Sequence, residues 1–419
     1  MFKELIRRFA PPIFLSGYHF LLALAGAVFY RFPARKTSVI GITGTNGKST
    51  VAEMISKILE EAGFNVACLS SIKFKVSDKE SPNVLRMTMP GRFMVQRFLR
   101  EAVDNGCQYA VLEVTSEGIK QHRHRFIAFK TAVFTNLSPE HIEAHGSFER
   151  YRQAKLELFR VARTHIINLD DENAKYFLEI PAEKKIGYTI KGESISDAIS
   201  VRAEKIDLFD DGLAFRVDET EFRLKLLGIF NLYNSLAAIA IALSEGISLE
   251  TCRQGLNKVE GVPGRMEKVI SEPFRVFVDY AFTPNALEKV YQTLKPKTGQ
   301  LLCVLGSCGG GRDKWKRPVL GKIAASYCEK VVITNEDPYD EDALEIIEQV
   351  ASETSGKSIK ILDRREAINY VLGEAKEGDT VVITGKGCEP SICLAKGKRI
   401  PWDDRLVVRE EFEKITQKR

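Results

Sequence analysis

Short unbroken apolar runs alternate with helical apolar stripes along most of this chain. Residues 38–43 form a run that reads as a buried strand, and Val51, Met54, Ile55, Ile58 and Leu59 share one face of a helix over residues 49–61. Further runs predict strands at 109–114, 131–135 and 165–168, with helical patterns between them, including one over 151–161. Strands alternating with helices imply a largely parallel sheet. From about residue 198 to 226 the pattern changes to short alternating strands around Asp210-Asp211-Gly212, which reads as an antiparallel addition to the same domain. The cluster Gly261-Val262-Pro263-Gly264 punctuates regular structure and marks a boundary. Beyond it, runs at 275–279, 301–305, 330–334, 358–362 and 380–384 alternate with helices again. The expected architecture is α/β throughout: a segment over 1–36, a central domain over 37–262 with a mostly parallel sheet, and a C-terminal Rossmann-like domain over 263–419. No internal repeat or low-complexity stretch interrupts it.

The 419 residues suit two or three domains, and 44% hydrophobic with 28% charged residues marks an ordinary soluble globular chain. A net charge of +5 is small for this size, and no basic stretch is interleaved with aromatics, so nucleic acid is not an expected partner. None of the eight cysteines has a C-x-x-C partner, which points to free thiols in a reducing compartment rather than to a zinc site.

Chemistry enters at Gly44-Thr45-Asn46-Gly47-Lys48-Ser49, between a predicted strand and a predicted helix. Glycines let backbone N–H groups approach phosphate oxygens, the helix N-terminus favours anions, Lys48 neutralises charge, and Ser49 can ligate magnesium. Ile42 stands where the first glycine of the longer phosphate-loop pattern would be. The central domain thus reads as a P-loop ATPase. Glu113 ends a strand beside this loop, where ligands bind in α/β sheets, and suits a magnesium ion on nucleotide phosphates. His141 follows another strand end, and Lys155 lies in a helix. Taken singly, a strand-end glutamate is structural about as often as not, such a histidine usually packs, and such a lysine is usually solvated.

Read together, these features change weight. Residues 43–50, 113–123, 134–146, 230–234, 264–267, 278–287, 311–318 and 385–389 stand in the order seen in Mur ligases, and the chain resembles that family over nearly all of 37–419. Within it, the resemblance is to the ligases that add the third peptide residue of a peptidoglycan precursor. It implies ATP and Mg2+, with Gly44, Thr45, Asn46, Gly47, Lys48, Ser49 and Thr50 around the phosphates and Asn231, Arg265 and Asp279 as further ATP contacts. Ser49, Glu113 and His141 would serve the metal, and Lys155 matches the family's carbamylated lysine. Thr88, Thr115, Gln121 and Arg123 match contacts to a muramoyl-peptide acceptor, while Arg312, Glu336, Asp337, Tyr339, Gly385 and Glu389 occupy the site of the free amino acid. The implied reaction is amide-bond formation through an acyl phosphate, with both domains closing over ATP.

Three departures are legible. The phosphate loop begins at Gly44, which leaves no room for the family's separate uridine-nucleotide domain, so a partner supplies that function, or the acceptor is held without it, or the acceptor is lipid-linked. Glu336-Asp337-Pro338-Tyr339 stands where Asp-Asn-Pro-Arg recognises diaminopimelate, and Cys388 replaces a histidine. Loss of the arginine removes a bidentate carboxylate clamp. The alternatives are a folylpolyglutamate or poly-γ-glutamate synthetase, or a nucleotide-binding subunit that needs a partner.

The segment before the loop holds no charge from Pro12 to Tyr30, with Lys3, Arg7 and Arg8 before it and Arg31, Arg35 and Lys36 after it. A secretory signal has this look, but ATP chemistry belongs in the cytosol. A helix over 12–30 would reach ~28 Å, close to the ~30 Å of a hydrocarbon core, though Ser16, Gly17 and His19 interrupt it. Two expectations stand: a helix that tethers a cytoplasmic enzyme to the inner membrane face, or one that packs on the central domain and buries its Leu and Phe side chains.

Overall fold

Apolar runs become strands wherever both faces are covered by helices. In a computed structural model, which describes residues 12–85, 87–192 and 199–417, the chain divides into two compact units. One comprises Met1–Leu137 with Glu149–Glu260, the other Ser138–Phe148 with Gly261–Arg419.

The first unit is built on strands β1 (Ser38–Thr43), β2 (Val66–Leu69), β3 (Lys73–Val76), β4 (Lys79–Pro82), β5 (Tyr109–Glu113), β6 (Phe129–Phe134), β7 (Thr164–Asn168), β8 (Lys184–Thr189) and β9 (Ile199–Arg202). Their order is β4-β3-β2-β5-β1-β6-β7-β8-β9. From β2 to β9 every neighbouring pair is parallel, and β3 and β4 extend one edge as an antiparallel hairpin. The expected antiparallel addition is therefore only partly right. Its start at residue 198 lies outside the described residues, and β9 joins the parallel sheet beside β8. The strands β10 (Glu204–Phe209), β11 (Gly212–Val217) and β12 (Thr220–Leu224) form a separate antiparallel sheet.

Helices flank the parallel sheet: α1 (Pro12–Phe29), α2 (Lys48–Glu61), α3 (Arg92–Asp104), α4 (Phe148–Phe159) and α5 (Ile229–Ser244), with α1 lying not on the sheet but on α3. The stripe read from the sequence on α2 is wholly buried, and α5 packs beside it with Leu232 and residues 236–242 in the core. The helix Leu249–Asn257 also packs on α2, and its close approach depends on Gly255, where a Cβ would lie 2.6 Å from the Ile58 Cα.

The packing expectation for the N-terminal segment holds only in part. Helix α1 lies against α3, with Ala23 and Ala27 buried, but Phe14, Tyr18, Leu21, Val28 and Phe29 remain exposed. Among the described residues, no helix is long and apolar enough to cross a membrane.

The second unit has its own sheet of β13 (Glu267–Ile270), β14 (Arg275–Asp279), β15 (Leu301–Leu305), β16 (Lys330–Ile333), β17 (Ser358–Lys360) and β18 (Thr380–Thr384), ordered β13-β14-β18-β15-β16-β17. All neighbours are parallel except β13–β14. The core joins Val276, Val278, Val304, Val332 and Ile383 to Ile368, Val371 and Leu372 of the helix Arg364–Glu374. Ser138–Phe148 joins this unit because Asp313 accepts hydrogen bonds from the Ile142 and Glu143 N–H groups at 3.3 and 2.9 Å, and Glu143 accepts from the Lys314 N–H at 2.8 Å.

Candidate active site

Strand β1 ends at Thr43 between β5 and β6, with Ile42 in register with Glu113 and Thr43 with Phe134. Three strand ends therefore meet the phosphate loop. Two of its glycines are there for space as well as conformation. At Gly44 a Cβ would stand 1.9 Å from Thr135 Oγ1, and at Gly47, with φ +85°, 2.4 Å from Asn234 Oδ1. The loop is laced to its neighbours: Asn136 accepts from the Thr45 N–H at 2.9 Å through its carbonyl and from the Asn46 N–H at 3.0 Å through Oδ1, while the Thr135 hydroxyl donates to the Asn46 carbonyl at 2.7 Å. Asn231 and Asn234 form their own bond at 3.0 Å behind it. Ser49 and Thr50 are buried in the first turn of α2, where N–H groups point outward to an anion.

Two lysines converge on this loop. Lys48 Nζ donates to the carbonyls of Gly44 and Thr45 at 3.0 and 2.9 Å, and Lys155 Nζ donates to the Gly44 carbonyl at 2.9 Å. Lys155 is only 2% exposed, lies over the Tyr151 ring, and has no carboxylate partner among the described residues. Burial, and secondarily the Lys48 charge, pushes its ammonium well below the usual lysine range.

Glu113 is fully buried at the end of β5, and both its oxygens are engaged by Ser71, from N–H at 2.8 Å and Oγ at 3.1 Å. The same hydroxyl meets Thr88 Oγ1 at 2.8 Å. Among the described residues, no three His, Cys, Asp or Glu side chains form a preformed metal cage. Magnesium does not need one, because it is commonly held by one or two carboxylates together with substrate phosphates. The buried carboxylate beside a phosphate loop fits that role. His141, with φ +58°, belongs to the segment that packs with the second unit, whereas Ser49, Glu113 and Lys155 belong to the first.

The expected acceptor residues cluster in the first unit. Thr115 caps the turn Ser116–Lys120 by accepting from the Gly118 N–H at 3.0 Å, Gln121 donates to Glu117 at 2.6 Å, and Arg123 donates to Gln121 at 2.8 Å and to the Met89 carbonyl.

In the second unit, Asp279 ends β14 and accepts from the Met266 and Ala281 N–H groups, both at 2.6 Å, which fixes the Gly264–Glu267 turn. Burial raises its carboxyl against the opposing charge of Arg265, whose guanidinium lies 4.3 Å from the Tyr280 ring centroid. Nearby, Lys386 is fully buried between Asp337 at 2.9 Å and Glu389 at 2.5 Å, and Tyr280 donates to Glu389 at 2.9 Å. Glu336 takes the Cys308 thiol on Oε1 at 2.8 Å, while its buried Oε2 has no partner. Burial, then Asp337, lifts the Glu336 carboxyl above its usual range. A Cβ at Gly385, φ +105°, would be 2.5 Å from that oxygen. Tyr339 is half-buried over Gly310, and Arg312 is exposed.

Sequence reading did not single out Ser71, Asn136, Tyr151 or Asn234 as site residues. Asn234 sits three residues after Asn231 on one helix face, a legible spacing. Ser71 carries no local mark, since its role comes from β2 lying next to β5. A buried pair, Lys316 to Glu140 at 2.6 Å, also escaped notice.

The Mur ligase middle domain matches residues 42–242, and the Mur ligase glutamate ligase domain matches 264–387. A UDP-N-acetylmuramyl-tripeptide synthetase of Roseiflexus sp. is 36% identical, covering 97% of this chain and 84% of that protein. A UDP-N-acetylmuramoyl-L-alanyl-D-glutamate–2,6-diaminopimelate ligase of Syntrophomonas wolfei is 39% identical, covering 93% and 81%. The solved structure of another such diaminopimelate ligase superposes with a TM-score of 0.61 at 31% identity, over 91% of this chain and 79% of that one. With both domains matched in order and the phosphate loop built as described, the chain belongs to the Mur ligase family.

Proposed function

We propose that this ATP-dependent ligase joins a muramoyl-dipeptide-type carboxylate to a diamino acid in peptidoglycan precursor synthesis. The observation that carries the reading is the buried Lys155 amine 2.9 Å from the Gly44 carbonyl of a phosphate loop, in a chain of this family. Residues 37–262 are assigned to ATP and acceptor, and 263–419 to the incoming amino acid.

A carboxylate resists attack by an amine. Transfer of the ATP γ-phosphoryl group to it gives an acyl phosphate and ADP, the amine adds to the acyl carbon, and collapse expels phosphate with loss of a proton from nitrogen. Lys48 and the N–H groups of Gly47 and Ser49 hold the phosphates by charge and position. Mg2+ held by Ser49, Glu113 and His141 would supply charge neutralisation on the phosphates. Arg265, Asp279 and Asn231 are assigned to the nucleotide.

Burial of Lys155, which disfavours its ammonium form, supports carbamylation there. Only a neutral amine has the lone pair to add to CO2, and loss of a proton leaves a carbamate anion beside Lys48. That anion relieves the repulsion between two lysines and gives the site a second carboxylate-like ligand. For the amino acid, Tyr339 offers no guanidinium to a second substrate carboxylate. Glu336, whose Oε2 has no partner among the described residues while Asp337 and Glu389 are taken by Lys386, instead suits an ammonium group, which favours lysine over diaminopimelate. Residues 12–30 are assigned to peripheral contact with the inner face of the membrane.

The test is phosphate release from ATP with a muramoyl-dipeptide acceptor and lysine or diaminopimelate, run beside folate and polyglutamate acceptors. Turnover only with the muramoyl acceptor is expected. Turnover with folate or polyglutamate alone would transfer the chain to the alternative reading.

A further inference from the structure

The exposed residues of α1 are not scattered. Phe14, Tyr18, Leu21, Ala25 and Val28 follow one another at spacings of four and three, so they form one stripe along the helix. Phe14, Leu21 and Phe29 are 70, 64 and 71% exposed, so most of each side chain is left uncovered by the described residues. The opposite face is occupied: Ala23, Gly26 and Ala27 are buried, Ser16 Oγ meets His122 Nε2 at 2.8 Å, and the Phe20 ring lies edge-on to His122 and Phe126. Phe93 and Met94 on α3 widen the patch, with the Phe29 and Phe93 ring centroids 6.4 Å apart. A contiguous apolar patch of this kind marks an interaction surface.

Charge identifies the occupant. Residues 1–36 carry six Lys or Arg and one Glu, a net +5. The whole chain has 61 basic and 56 acidic residues, also +5, so residues 37–419 are balanced and the entire excess lies in residues 1–36 of the sequence. At the C-terminal end of the stripe a cleft of about 370 Å³ is lined by Phe29, Tyr30, Arg31, Lys36, Arg100 and Asp104. Asp104 pairs with Arg100, which leaves the Arg31 and Lys36 charges facing the cleft uncompensated by it. A second copy of this chain would bring the same positive charge to the interface, whereas an anionic bilayer opposes it.

We propose that α1 lies in the plane of an anionic membrane, with the Phe14–Tyr18–Leu21–Val28–Phe29 stripe among the acyl chains and the Arg31/Lys36 cleft on a lipid phosphate. An in-plane helix needs one apolar face and basic flanks, not the length to span. Through Ser16 and Phe20 the helix holds His122, so docking sets the Gln121–Arg123 loop at the interface. The proposal deepens the location assigned above and does not depend on the ligase chemistry, because vesicle binding and turnover are read separately.

The full-length protein is sedimented with vesicles of phosphatidylcholine alone or mixed with phosphatidylglycerol, at low salt. Partition onto the anionic vesicles at least roughly tenfold stronger than onto neutral ones is expected. Arg31→Gln with Lys36→Gln should weaken it roughly thirtyfold, and Phe14→Ser with Leu21→Ser and Phe29→Ser should abolish it, while both sets of variants keep turnover of a soluble acceptor. Sedimentation equally strong with neutral vesicles, or none with either, overturns the proposal. So does a concentration-dependent dimer in analytical ultracentrifugation that the stripe variants dissolve, since the occupant is then a second copy. Inorganic phosphate that saturates the cleft and leaves vesicle binding untouched also removes the lipid phosphate from it.

Discussion

Burial beside Lys48 disfavours the ammonium form of Lys155, and the carbamylation proposed above needs the amine form, which alone has a lone pair for CO2. Lys155→Ala should lower turnover by roughly a hundredfold or more, and short carboxylic acids such as acetate should restore part of it by supplying the missing anion. Full activity of the alanine variant in a phosphate-release assay would remove the assignment. Tyr339 governs a different choice. Leaving a second substrate carboxylate unpaired costs ~1–3 kcal/mol, so lysine should be preferred over diaminopimelate by roughly ten- to hundredfold in kcat/KM, and Tyr339→Arg should shift the ratio back. Equal or better turnover of diaminopimelate by the unaltered protein would refute this. His124 is a stability switch rather than a catalyst. It is buried with both ring nitrogens unpartnered, and burial lowers it from 6.5 to about 3. Its folded value lies below its unfolded one, so the unfolded chain binds the extra proton. Stability is thus intact above pH ~6.5 and drains as the pH falls toward 3, by about 2 kcal/mol near pH 5. Denaturant melts should show His124→Leu with a flatter acid limb.

Elements place these residues by how closely they approach one another. Helix α2 carries the phosphate loop, and its seat depends on Gly255, whose missing Cβ lets the helix Leu249–Asn257 lie against Ile58. Gly255→Ala puts a methyl against backbone, which cannot turn aside, and should cost about 1–3 kcal/mol in chemical denaturation with a matching loss of ATP affinity. A neutral substitution here would show that the two helices separate easily. The loop glycines act on the same principle one level down, since Gly44 and Gly47 are pressed on by Thr135 and Asn234.

For the molecule as a whole, ATP should act as a stabilising ligand. With Mg2+ and nucleotide at about 100 times Kd, calorimetry should show about 2.7 kcal/mol of added stability, and Lys48→Ala should remove most of it. No shift in the unaltered protein would contradict the nucleotide assignment. The sequence by itself determined what depends on neighbours along the chain: the strand-loop-helix around Gly44–Ser49, the buried stripe of α2, the second α/β unit after Gly261 and the order of motifs that placed the chain in its family. Local periodicity and turn chemistry act over a few residues, so a single chain displays them. Only the tertiary structure decided what depends on neighbours in space. The parallel pairing of β9, the hold of Ser71 on Glu113, the burial of Lys155 and the exposed stripe of α1 each arise from elements distant in sequence. An apolar helix reads the same whether one face is covered or both, and a lysine reads the same whether solvated or dry, because burial is a property of the packed chain and not of any segment.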